Sequence, residues 1–209
     1  MRRSAPLLAV VIGVVACDQP KKAAHVDESA GARVPLVGID PDRWTCDQVA
    51  SKDAVSAVVG GHVREIDSAL PSPRGTPRPC NYLLDAAVPE AWTFDLDCRP
   101  GALRTADRLW KQYLEVNSAL LAAYGDAGPD ERKDDAGVVH AAPGGPSEVA
   151  VGAKGLDHNG QAVLFIDDDT ACYGRVVGPD PARRLALAQL VAKNLRPATA
   201  PMEPHPAGK

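Results

Sequence analysis

Four cysteines, Cys46, Cys80, Cys98 and Cys172, are spread so widely that none forms the close CxxC pair of a zinc site, and a fold closed by disulfides is the simplest one they define. Disulfides persist only in an oxidising compartment. The start of the chain supplies the route to one. Met1-Arg2-Arg3 is a short positive segment, and Ala5 to Ala16 is apolar apart from Pro6 and Gly13, which is the layout of a secretory signal. At about 12 residues the apolar run is too short to span a bilayer, which takes roughly 20. It stops at a fifth cysteine, Cys17, followed by Asp18, Gln19 and Pro20.

The junction Val14-Val15-Ala16-Cys17 resembles the lipobox of bacterial lipoproteins, in which small residues precede a cysteine that is diacylated before cleavage. Val14 stands where that family most often has Leu. The resemblance implies a signal peptide at 1–16, a lipid on Cys17, and anchorage to the cell membrane facing the periplasm or the cell exterior. Cysteine parity agrees: assigning Cys17 to the lipid leaves an even four for bridges, whereas an ordinary cleaved signal leaves a spare thiol.

From Asp18 to about Asp42 no hydrophobic period is sustained, so residues 17–43 are expected to be the lipidated cysteine and a flexible tether. A coil of about 25 residues reaches on the order of 25 to 30 Å. Val34-Pro35-Leu36-Val37 is an apolar island within it. One domain is expected over 44–196, and the Pro-rich 197–209 reads as a disordered tail. The formal charge is −4, and the leader's two arginines contribute positively to it, so the remainder is more acidic still. Lys21-Lys22 and Arg183-Arg184 are isolated basic pairs that read as a solvated linker and a solvated helix face. No basic patch points to a nucleic-acid partner.

Helical spacing of Val49, Ala50, Ala54, Val55 and Val58 predicts a helix over 47–59, ended by Gly60-Gly61. Four prolines between Leu70 and Pro79 make a loop. Strands follow at 80–86 and 91–99, the second alternating Trp92, Phe94, Leu96 and Cys98 against Thr93, Asp95 and Asp97. Ala102 to Tyr124 carries the longest helical stripe, and 125–148 reads as a surface loop. A three-strand meander is expected from 149–154, 161–167 and 170–177, with Asn159-Gly160 as hairpin cue, and a last helix over 180–195 with Pro181 at its start. The order α-β-β-α-β-β-β-α predicts an α+β fold with helices on one face of a mostly antiparallel sheet.

Cys46 before a short helix in Trp44-Thr45-Cys46-Asp47, Gly60 ending it, Cys80-Asn81-Tyr82 opening a strand, Val151-Gly152-Ala153 and Ala171-Cys172-Tyr173 before a final helix resemble a family of small actinobacterial-type envelope lipoproteins. The resemblance covers about residues 44 to 196 and implies a tethered α+β domain with no catalytic residue to carry over. Sequence leaves three cysteine pairings open. The placement of the elements favours Cys46 with Cys80, clamping helix and loop to the sheet, and Cys98 with Cys172, joining two alternating strands.

Chemistry-bearing residues lack the company that catalysis needs. Asp167-Asp168-Asp169 lacks the spaced carboxylates and the glycine of a calcium loop and reads as a β-turn. His140 and His158 have no nucleophile motif or HExxH nearby, and Ser56 and Ser118 fall within predicted helices, away from any GxSxG elbow. Gly144-Gly145-Pro146 has proline where a phosphate cradle needs an N–H. No metal or cofactor motif appears. The expectation is a non-enzymatic binding or assembly module of the envelope whose partner is an envelope protein or small molecule. Trp110, Tyr113 or the 125–148 loop offer contact surface, with core packing as the simpler use of the two aromatics. The alternative is a small envelope hydrolase whose site is assembled from residues distant in sequence.

Overall fold

The computed structural model describes residues 36–68, 71–124, 132–133, 139–140, 146–158 and 160–207, with the side chains of 116–145 outside the description. The expected signal, Cys17 and most of the tether fall outside it too.

In chain order the elements are β1 (Leu36–Val37), a 3-10 turn (Cys46–Gln48), α1 (Lys52–Val59), β2 (Val63–Ile66), β3 (Cys80–Leu84), β4 (Glu90–Asp97), α2 (Ala102–Tyr124), β5 (Arg132–Lys133), β6 (Val139–His140), β7 (Ser147–Glu148), β8 (Lys154–His158), β9 (Ala162–Asp167), β10 (Cys172–Val177), α3 (Pro181–Asn194) and β11 (His205–Pro206). Seven strands form one antiparallel sheet in the order β2-β3-β4-β10-β9-β8-β7. β5 pairs with β6, and β1 with β11. The fold is α+β, as expected. At the sheet's centre β4 and β10 join the two halves of the chain, in the register Gly174↔Leu96 and Val176↔Phe94.

Strand alternation decides which side each helix takes. Trp92, Phe94 and Leu96 of β4, Phe165 and Val163 of β9, and Cys172 and Val176 of β10 form one core with α1 and α3. Ala162 and Leu164, also of β9, join Leu156 and Trp110 in a second cluster on the opposite face. There α2 lies, across the sheet from α1 and α3 rather than on one face with them as expected, its Trp110 buried and Tyr113 partly so. Both aromatics therefore pack, and β9 is buried along its whole length because it is covered on both sides. Gly174 and Gly178 are small for packing reasons: a Cβ at either would collide with the ring of Phe165 or of Trp92.

Several elements lie elsewhere than expected. The first helix is shorter, because Ser51 caps it by accepting from the Ala54 N–H and the chain before it makes a 3-10 turn. A four-residue strand that was not expected, β2, fills one sheet edge. The first strand of the meander is Lys154–His158 rather than 149–154: Gly152 at φ +58° turns the chain ahead of it, where a Cβ would meet the Ile166 carbonyl. The hairpin cue holds, with Gly160 at φ +69° and the Gln161 N–H donating to His158 O at 2.9 Å.

The domain also extends past both expected limits. Residues 36–43 and 197–207 clasp one another: Gly38 N–H donates to Pro197 O, Ile39 N–H to Ala200 O, and the Trp44 indole to Thr199 O at 2.8 Å. Ala200 is buried. The segment 197–207 is thus part of the fold rather than a disordered tail, held by backbone pairing that a composition reading does not register.

Burial also tunes stability. Tyr82 is 1% exposed, and its phenol is pushed well above its usual range by burial first, then by Glu65 and Asp47. An unfolded tyrosine ionises near pH 10 while this one stays neutral, so its contribution is intact below about 10 and falls by roughly 1.4 kcal/mol per pH unit above it. Urea unfolding from about pH 9 to about pH 11 should show Tyr82→Phe flattening that decline. An unchanged slope would show that the phenol is not held neutral.

Candidate functional site

The cysteines come together in two bridges, Cys46–Cys80 and Cys98–Cys172, the pairing favoured by element placement. Other singled-out residues serve the fold. The Asp167 carboxylate is buried and caps its own turn, accepting from the Thr170 N–H at 2.9 Å and hydroxyl at 2.8 Å, while Asp168 and Asp169 face solvent. The Ser56 hydroxyl accepts from the Val63 N–H at 3.3 Å. His158 sits at the end of β8, not in a loop, with its ring 4.1 Å from that of Tyr113. The side chains of His140 and Ser118 lie outside the described residues. Arg183-Arg184 is not a solvated pair: Arg183 donates to Val59 O at 3.0 Å, and Arg184 is fully buried.

The Cys46–Cys80 bridge has a second consequence. Two residues before each of its cysteines stand Trp44 and Arg78, and both line a cleft of about 860 Å³. The bridge therefore joins the bases of the cleft's two walls. One wall is the turn Asp40-Pro41-Asp42-Arg43, closed by Arg43 N–H to Asp40 O at 2.9 Å and by Asp42 N–H to the Asp40 carboxylate. Proline at the second position is the expected residue for such a turn. The other wall contains Pro73-Arg74-Gly75-Thr76, where Thr76 donates to Pro73 O through its N–H at 3.1 Å and its hydroxyl at 2.7 Å. Gly75, at φ +79°, supplies the third turn position that needs no Cβ.

Into this cleft the first wall brings Asp40 and Asp42 and the second brings Arg74 and Arg78, all exposed. Arg74 and Arg78 form no ion pair among the described residues. The Ser72 hydroxyl is buried and has no hydrogen-bond partner among the described residues. Trp44, 8% exposed, also lines the cleft and is pinned from behind by Thr199. In the sequence these stretches read as tether and loop. Their signals were the turn patterns Asp-Pro-Asp-Arg and Pro-Arg-Gly-Thr, which mark turns but not that the turns face each other.

A second groove, of about 1170 Å³, runs between α2 and the C-terminal segment and is lined by Val37, Leu103, Pro197 and Met202 among others. Elsewhere the open sheet face carries charge in fixed pairs. Arg175 Nε donates to Asp95 at 2.9 Å, and Arg99 Nη2 to Asp97 at 2.6 Å. The Arg99 hydrogen bonds hold the Asp97 carboxyl below its usual range, whereas burial raises that of Asp95 against the pull of Arg175.

Among the described residues no three His, Cys, Asp or Glu side chains are grouped to hold a metal, and no helix is long and apolar enough to cross a membrane. The chain matches no protein family, no curated protein and no solved structure.

Proposed function

We propose that this chain is a lipoprotein of the bacterial cell envelope, tethered through Cys17, whose disulfide-stapled domain is a binding module. The carrying observation is the cleft between the Asp40–Arg43 and Pro73–Thr76 turns, two prolyl walls joined at their bases by Cys46–Cys80. A concavity built on turns that are fixed before any ligand arrives saves the ordering cost of binding. Its volume falls in the range of about 300 to 1,000 Å³ usual for small-ligand sites. Asp40, Asp42, Arg74 and Arg78 are exposed to solvent, a setting that suits recognition.

Two measurements test the reading separately. Mass spectrometry of the mature N-terminus should find S-diacylglyceryl-Cys17, and Cys17→Ala should release the protein from membranes. A mature terminus elsewhere removes the anchor. A screen with ester, phosphate, peptide and glycoside substrates should find no turnover; activity abolished by Asp40→Asn or Asp42→Asn would establish the hydrolase instead.

A further inference from the structure

From the cleft's charges we infer its ligand class: a short peptide with a free amino and a free carboxyl terminus, its amine toward Asp40 and Asp42 and its carboxylate toward Arg74 and Arg78. The inference rests on reading the cleft as a binding site and adds what it binds. A purely anionic ligand would meet the two carboxylates, and a purely cationic one the two guanidiniums. Only a ligand bearing both signs satisfies both walls, and specificity of this kind comes as much from the repelled wrong charge as from the attracted right one. A guanidinium presents the planar fork that a carboxylate fits in bidentate fashion.

Backbone chemistry narrows the class further. Pro41, Pro71 and Pro73 line the cleft and have no N–H to donate. The Pro73 carbonyl is taken by Thr76, so Pro41 and Pro71 are the prolyl positions left to offer a ligand an acceptor without a competing donor. Peptide N–H groups are the natural complement of such a surface. Trp44 gives the cleft an apolar aromatic surface for a small side chain, held in position by its indole hydrogen bond to Thr199.

The test uses the mature chain with Cys17→Ser, oxidised and isotope-labelled, which retains every residue of both cores. Di-, tri- and tetra-alanine are titrated in turn while backbone amide signals are followed. Saturable shifts are expected at 40–44 and 72–78, with a Kd of about a millimolar for so few contacts. Acetylating the amine or amidating the carboxylate should each weaken binding by about tenfold or more, the scale of one charge-assisted hydrogen bond. Arg74→Gln with Arg78→Gln should abolish the difference between the free and amidated peptides while leaving the remaining spectrum in place, since both side chains are exposed. Absence of saturable shifts up to about 20 mM, far above the expected Kd, overturns the ligand class, as does equal binding of the free and capped peptides. That failure leaves the lipid anchor and a different ligand standing. Cleavage of bound peptide, in contrast, upholds the ligand class and overturns the non-catalytic reading.

Discussion

Replacing Cys98 and Cys172 together by alanine should lower the melting temperature by about 10 °C or more under non-reducing conditions, and further than the same replacement of Cys46 and Cys80. The two bridges close chain separations of 74 and 34 residues. On the loop-entropy estimate they restrict the unfolded chain by about 4.5 and about 3.8 kcal/mol respectively. Against a net stability of about 5 to 15 kcal/mol either loss is large. The longer bridge also ties the end of β4 to the start of β10, where the two halves of the chain meet, Tyr173 lying opposite Asp97 in the sheet. Without that link, bringing these strands together carries the full cost of closing the intervening segment. The difference between the bridges, about 0.7 kcal/mol, corresponds to roughly 2 °C for a domain of this size, well within calorimetric resolution. A reversed order would show that native-state geometry, not chain entropy, governs the two bridges.

Periodic elements were legible because their burial is decided locally. The stripe from Ala102 to Trp110 and the alternation of Trp92, Phe94, Leu96 and Cys98 each repeat one face, and the structure buries those faces. Asp180 and Pro181 announce α3 in the same way, the Asp180 carboxylate accepting from the Arg183 N–H at 2.8 Å. β2 was hidden because only Val63 of its four residues is buried while Arg64 and Glu65 are exposed, as befits a sheet edge. The side of the sheet that α2 takes was equally hidden: β9, with Ala162 to Ile166 all apolar, has no polar face to say which side is covered. The cleft depends on two turns 33 positions apart in sequence, Asp40 against Pro73, meeting across a disulfide. No local pattern contains that meeting, although the pairing of Cys46 with Cys80 was the clue to it.

Arg184 carries the other large effect, and replacing it with alanine should cost about 3 to 5 kcal/mol. Its side chain is fully buried between α3 and the sheet. One guanidinium nitrogen, Nη1, donates to Gly178 O at 2.5 Å, and Nη2 lies 3.6 Å from the Asp157 carboxylate. The other Asp157 oxygen accepts from the Gly160 N–H at 3.0 Å, so the charge beneath α3 is linked through one carboxylate to the β8–β9 hairpin. Alanine would leave a void beneath the helix, an unmet Gly178 carbonyl and an unpaired carboxylate. Yet Nε and Nη2 have no hydrogen-bond partner among the described residues, so the guanidinium's desolvation is only partly offset. Arg184→Met should therefore recover at least half of the loss, because it restores volume without burying charge. Urea unfolding of both variants and of Asp157→Asn, alone and combined with Arg184→Met, separates the contributions. The cycle should give a coupling of about 0.5 to 3 kcal/mol between residues in contact. An Arg184→Ala cost below about 1 kcal/mol would mean that the side chain is not buried as described, and methionine as damaging as alanine would mean that the charge itself stabilises the fold.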